Sequence, residues 1–209
     1  MTYLGPQQAR TLTSRRFVAV ALAFAATTAH AAAGSELVQA ARTQIGVTRI
    51  YDGSYQKIAF PDGDVPMIRG VCTDVVIRAY RQLGVDLQVL VHEDMKRAWA
   101  AYPKTWGLRE TDPNIDHRRV PNLATFLKRH GQALPVGKDP AAFRPGDIVT
   151  WQLPSGVPHI GIVDAERSPR GVPLVVHNVG EGTRLEDRLF EYRLTGHYRY
   201  RPATLRPGR

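Results

Sequence analysis

Cysteine is nearly absent from this chain of 209 residues: there is one, Cys72. That count excludes a disulfide framework, a zinc ribbon and a four-cysteine iron–sulfur site. Acidic residues are missing from the start of the chain, where Arg10, Arg15 and Arg16 precede the first of them, Glu36. Long apolar runs are lacking too. The stretch Phe17–Ala26 falls well short of the roughly 20 residues that a membrane-spanning helix needs, so no stable span is expected. Nor is there an internal repeat or a low-complexity linker, and residues 34–201 therefore read as one domain followed by a short basic tail, 202–209.

A basic start, an apolar stretch and the small residues Ala29-His30-Ala31 are the parts of an export signal, so residues 1–31 are expected to be removed and the product to be periplasmic or secreted. The formal charge is +9, and a leader with three arginines and no acid leaves the rest at +6. A basic surface favours anionic partners. Nucleic acid is not expected among them, because no reader motif or interleaved aromatic patch is present. An exported thiol without a partner invites oxidation, so Cys72 is either deeply buried or useful.

Ser35 can cap a helix running to about Ile45, where Gly46 stops it. Tyr51 to Gly70, rich in Gly, Pro and Asp, reads as a long ordered loop. Val75, Val76, Ala79, Tyr80 and Leu83 recur at helical spacing before Gly84, which puts Cys72 in the first turn of a helix. Further helices are expected over Glu93–Tyr102 and Leu123–His130. After Pro145-Gly146-Asp147, the period changes to short strands: Ile148–Trp151, His159–Val163, Pro173–Asn178, Arg188–Leu194 and Gly196–Arg201. Helices followed by an antiparallel meander make an α+β fold, with N-terminal helices packed on a C-terminal sheet.

Chemistry is concentrated on three side chains. If His159–Val163 and Pro173–His177 form a hairpin with Ile160 facing Val176 and Ile162 facing Leu174, His159 lies opposite His177 on the other face, their β-carbons roughly 5 Å apart. A slip of one residue would break the match on both faces. A cysteine at a helix start feels the positive end of the backbone dipoles, which lowers its pKa, and the same N–H groups can hold an oxyanion. Cys72 as nucleophile, His159 as base and His177 as the orienting group are thus the parts of a cysteine hydrolase. These three could also bind zinc, but no fourth ligand is evident, and neither metal nor cofactor is expected. Asp116, His117, Arg118 and Arg119 stand in a polar segment before a helix. They read either as a loop with internal ion pairs or as a substrate clamp in which arginine holds a carboxylate.

Several strings resemble the bacterial family DUF1287: Gly70-Val71-Cys72-Thr73-Asp74, Asp116-His117-Arg118-Arg119-Val120-Pro121-Asn122-Leu123, Pro158-His159-Ile160-Gly161-Ile162-Val163, His177-Asn178-Val179-Gly180 and Gly196-His197-Tyr198-Arg199-Tyr200. That family is in turn similar to the NlpC/P60 branch of the papain-like superfamily, and the likeness implies a papain-like fold. It also implies a catalytic cysteine at a helix start, a base histidine opening a strand, and an orienting residue on the next strand, which is His177 or its neighbour Asn178. The Asp-Cys-Ser-Gly string typical of that branch is replaced here by Val71-Cys72-Thr73-Asp74. The implied substrate is a peptide or amide bond, foremost in peptidoglycan. A non-catalytic wall-binding domain, or an acyltransferase or lipid-amide hydrolase on the same fold, is the alternative.

Overall fold

The computed structural model describes Met1 and residues 34–202. Apart from Met1 and Pro202, the expected leader and tail lie outside the described residues. Four helices are described: α1 (residues 34–42), α2 (Cys72–Gln82), α3 (Leu87–Arg97) and α4 (Val120–His130). Two short strands, β1 (Ile50–Tyr51) and β2 (Arg69–Gly70), pair in parallel. The others, β3 (Gln132–Ala133), β4 (Ile148–Gln152), β5 (Pro158–Arg167), β6 (Pro173–Asn178), β7 (Thr183–Glu186) and β8 (Arg193–Arg199), form one sheet in the order β3-β8-β4-β5-β6-β7. Every pairing within it is antiparallel. This is the α+β architecture expected, with helices first and the sheet after them.

Apolar residues cover both faces of the sheet, which is why its central strands read as nearly continuous hydrophobic runs. On one face, Ile148, Ile160, Ile162 and Val176 pack with Val75, Val76, Ala79 and Tyr80 of α2 and with Leu123, Phe126 and Leu127 of α4. On the other, Val149, Trp151, Val163 and Val175 pack with Phe143 and Leu189 in a smaller cluster. Helix α2 is the central element, and all of its residues from Cys72 to Tyr80 are buried.

Three departures from the sequence reading have physical causes. Helix α3 begins at Leu87 rather than Glu93, because the Asp86 side chain accepts the Gln88 N–H at 2.9 Å and so caps it there. Its last expected residues instead form a separate 3₁₀ turn, Trp99–Ala101. The segment expected as the strand Arg188–Leu194 is mostly a turn, closed where Arg188 holds Glu191 at 2.6 Å, and one strand, β8, replaces the two expected at the end of the chain. Finally, Thr183–Glu186 is a strand whose polar sequence carries little alternating apolar signal.

Candidate active site

Cys72 is the first residue of α2, and the chain entering that helix is tightly held. Asp74 reaches back to accept the Val71 N–H at 2.7 Å, half of a capping box, while its carboxylate takes both Nε and Nη2 of Arg118 at 2.9 Å. Thr73 Oγ1 donates to the Arg118 carbonyl at 3.0 Å, and Asn178 Nδ2 donates to the Gly70 carbonyl at 3.1 Å. A side chain at Gly70 would be tight against this network. A β-carbon there would come within 3.1 Å of Arg78 Nη1 and 3.2 Å of Asp74 Oδ2. Buried Arg78 ties the preceding loop to the same helix, donating to both oxygens of Asp64 and to the carbonyls of Val65 and Arg69. Thus the Gly-Val-Cys-Thr-Asp string is a clamp that sets the position of one sulfur.

That sulfur borders a cavity of about 400 Å³, shared with Tyr51, Tyr55, Trp106, Arg118 and Arg119. Cys72 is nonetheless only 4% exposed. Burial pushes it up to about 12, against the N–H groups of Ile160, Thr73 and Cys72 itself, which act to lower it. The expectation of a depressed pKa is therefore corrected: loss of solvation outweighs the helix start, and the resting group is a thiol. The Tyr51 phenol stands against the same sulfur and is itself pushed up to about 12, by burial first and then by Cys72. Nothing in the loop-like sequence around Tyr51 marked that residue out. Its signal is spatial, arising from the pairing of β1 with β2 two residues before Cys72.

The two histidines meet, but in a different register from the one expected. Ile162 pairs with Val176 and Val163 with Val175, a shift of two residues, which preserves the faces because the side-chain period is two. His177 then lies across from Gly161, where an added β-carbon would stand 3.0 Å from the His177 Cβ. The missing side chain at 161 lets the His177 ring lean diagonally to His159, and His159 Nε2 comes 2.8 Å from His177 Nδ1. Trp151 stacks on His159, with centroids 5.5 Å apart and planes 28° from parallel, and anchors its own indole N–H on the Leu189 carbonyl at 2.9 Å. Burial pushes His159 down to about 3, helped by His177, and burial lowers His177 as well.

Behind the pair, Glu186 Oε2 stands 3.0 Å from His177 Nε2, an ion-pair distance without the alignment of a full hydrogen bond. Sequence reading passed over this residue because it lies on the strand that was missed. Asn178, the neighbouring alternative, points to the helix side and holds Gly70. His177 is the residue in contact with His159.

Alternation along β5 sends Ile160 to the helix face with Cys72 and sends His159 to the Trp151 face. The Ile160 N–H approaches the Cys72 sulfur, so His159 stands one residue of backbone away from that contact. Among the described residues, no hydrogen bond joins Cys72 to His159, and His159 Nδ1 has no partner.

Of the four clamp residues, two line the cavity. Arg118 does so with its charge already committed to Asp74, whereas Arg119 lies over Trp106 at 5.2 Å and keeps a buried Nη1 without a partner. Asp116 and His117 are buried away from the cavity. The Asp116 carboxylate accepts the Asp112 N–H at 2.6 Å, and burial raises its pKa while driving His117 down to about 3. Those two residues shape the loop that presents the arginines.

Residues 38–200 match the family described as "Domain of unknown function (DUF1287)". The uncharacterized protein YijF of Escherichia coli (strain K12) is 52% identical over 164 residues, covering 78% of this chain and 80% of that protein. Among solved structures, NlpC1 from Trichomonas vaginalis is similar at 17% identity with a TM-score of 0.43; the match covers 80% of this chain and 44% of that one.

Proposed function

The chain belongs to the DUF1287 family, and we propose that it is an exported cysteine hydrolase that cleaves a peptide or amide bond, foremost in peptidoglycan. In this reading the Cys72 proton passes to His159 Nδ1 as the sulfur forms a bond to the substrate carbonyl carbon. The carbon–nitrogen bond then breaks, and the amine leaves with the proton returned from His159. Water next attacks the thioester, with His159 as base, and releases a carboxylic acid and the free thiol. His177 orients the His159 ring. In the same reading the oxyanion is held by the N–H groups gathered at the sulfur.

The single observation that carries this reading is the coupling of His159 to His177 at 2.8 Å, one residue along β5 from the amide that touches Cys72. Contacts in catalytic sites without substrate are often long and tighten only when substrate binds. Burial favours the protonated thiol, so this reading needs His159 Nδ1 to come within reach of the sulfur in the complex and take its proton there. The cavity lining contains two arginines and no acidic residue, which supports a substrate bearing a carboxylate, as wall peptides do.

A second reading, a non-catalytic wall-binding domain, draws its support from the burial that keeps Cys72 protonated. Incubating residues 32–209 with purified peptidoglycan fragments and reading the products by mass separates the two. The enzyme yields new amine and carboxyl termini that the Cys72→Ala variant does not, while a binding domain retains the fragments uncut.

A further inference from the structure

The two imidazoles are 2.8 Å apart at Nε2 of His159 and Nδ1 of His177, so one of these nitrogens carries the proton and the other presents a lone pair. The contact alone does not say which. What decides it lies on the next strand: Glu186 Oε2 stands 3.0 Å from His177 Nε2, closer than a carboxylate oxygen and a bare ring nitrogen can rest without repulsion. We infer that Glu186 is a positioning residue for the proposed reaction, which rests on that reading: by holding the proton of His177 on Nε2 it leaves Nδ1 as acceptor, assigns the proton of His159 to Nε2, and so presents the His159 Nδ1 lone pair as the base. The geometry joins three of these groups, His159, His177 and Glu186, and the proposed reaction adds Cys72 as the fourth, with the tautomers set from the charged end.

The groups around Glu186 are themselves paired. Arg188 Nε lies 3.3 Å from the other oxygen of Glu186, and Arg188 Nη1 lies 2.6 Å from Glu191 and 3.1 Å from the Tyr192 hydroxyl. Arg184, across from His177 on β7, is engaged by Glu181 at 2.7 Å. Two carboxylates around one arginine leave the Glu186–Arg188–Glu191 cluster with one net negative charge beside the histidines. An anion there favours the imidazolium that forms when His159 accepts the thiol proton.

Long-range nitrogen–proton NMR of the imidazoles tests the assignment in the full chain, without any substrate. At neutral pH, both His159 and His177 are expected as the Nε2–H tautomer, and finding His159 protonated on Nδ1 overturns the inference. In Glu186→Gln, which preserves shape, the charge is lost. The expected result is a mixture of tautomers, a kcat on peptidoglycan fragments lower by at least about tenfold, and an acid limb of the pH profile moved to lower pH. Unchanged tautomers and an unmoved acid limb in a folded Glu186→Gln protein also overturn it. Should the wild type cut nothing, the hydrolase reading fails, and the NMR result still decides the role of Glu186.

Discussion

The two faces of the sheet hold their chemistry by different means. On the helix face, Cys72 is placed by a local string, with Asp74 three residues from Val71 and Gly70 beneath Asp74, backed by two long-range partners, Arg118 and Asn178. On the opposite face, His159, His177 and Glu186 come from three strands, and only their register makes them neighbours. A side chain placed by a local string keeps its position when distant parts of the chain change. A pair of side chains brought together by register is sensitive to any residue that alters strand spacing. The helix face also excludes water from the thiol, whereas the far face supplies fixed charge, so each side provides what the other lacks.

The largest expected effect removes the chemistry and leaves both faces standing. Cys72→Ala deletes one buried sulfur in a helix that Asp74 and Arg118 still hold. Circular dichroism is expected to be unchanged, with hydrolysis of wall fragments falling at least about a thousandfold. Retained turnover would sink the assignment.

Next in size is the clamp. Asp74→Asn weakens the cap and leaves Arg118 buried opposite a neutral group, and breaking such a pair costs about 3–5 kcal/mol. Urea denaturation is the measurement. A shift below about 1 kcal/mol would mean that the Asp74–Arg118 pair does not hold the start of α2.

How much of this was legible in the sequence follows the same division. The helix that presents Cys72 was readable from its apolar period and its stop at Gly84, because both signals are local. The meeting of His159 with His177 was readable from parity, since a shift of two residues leaves the faces unchanged. The true register was not, as it depends on an irregularity in β5 between Val163 and Arg167 that no composition rule marks. Glu186 and Tyr51 were invisible for a related reason. Both lie on strands too short to show an apolar period, of two and four residues, and each matters only through a partner that is distant along the chain. The protonated state of Cys72 was misjudged because a helix start is visible in a sequence and the depth of burial is not.

Gly161→Ala breaks the far face alone. The new methyl group would press on the His177 Cβ at 3.0 Å and on the Trp151 ring at 3.2 Å, within a packed region. Overpacking of this kind costs about 1–3 kcal/mol. Because the residue that must move is His177, kcat is expected to fall by at least about tenfold while the reactivity of Cys72 towards a thiol reagent stays as in wild type. Equal losses in both would mean that the two faces are not independent.

The last effect is a slope with pH, absent at neutrality and growing as the solution is acidified. His159 and His117 are each driven down to about 3 by burial, against an ordinary value of 6.5. The unfolded chain takes up protons on these groups as pH falls through 6.5, while the folded chain refuses them until about 3. Their neutral forms therefore favour the fold above 6.5, and stability is lost progressively between 6.5 and 3. One such group gives a limiting slope of about 1.4 kcal/mol per pH unit, and two give about twice that before carboxylates contribute. Measuring urea unfolding from pH 7 to pH 4 in the wild type and in His117→Gln separates the faces, since His117 lies under the loop of the arginines and His159 lies against Trp151. The variant is expected to lose the share of His117, about 1.4 kcal/mol per pH unit at its limit, and to keep the slope that belongs to His159 and His177 on the far face. A slope unchanged by His117→Gln would place the whole acid sensitivity on the paired histidines and tie the stability of the fold to the groups proposed to move the proton.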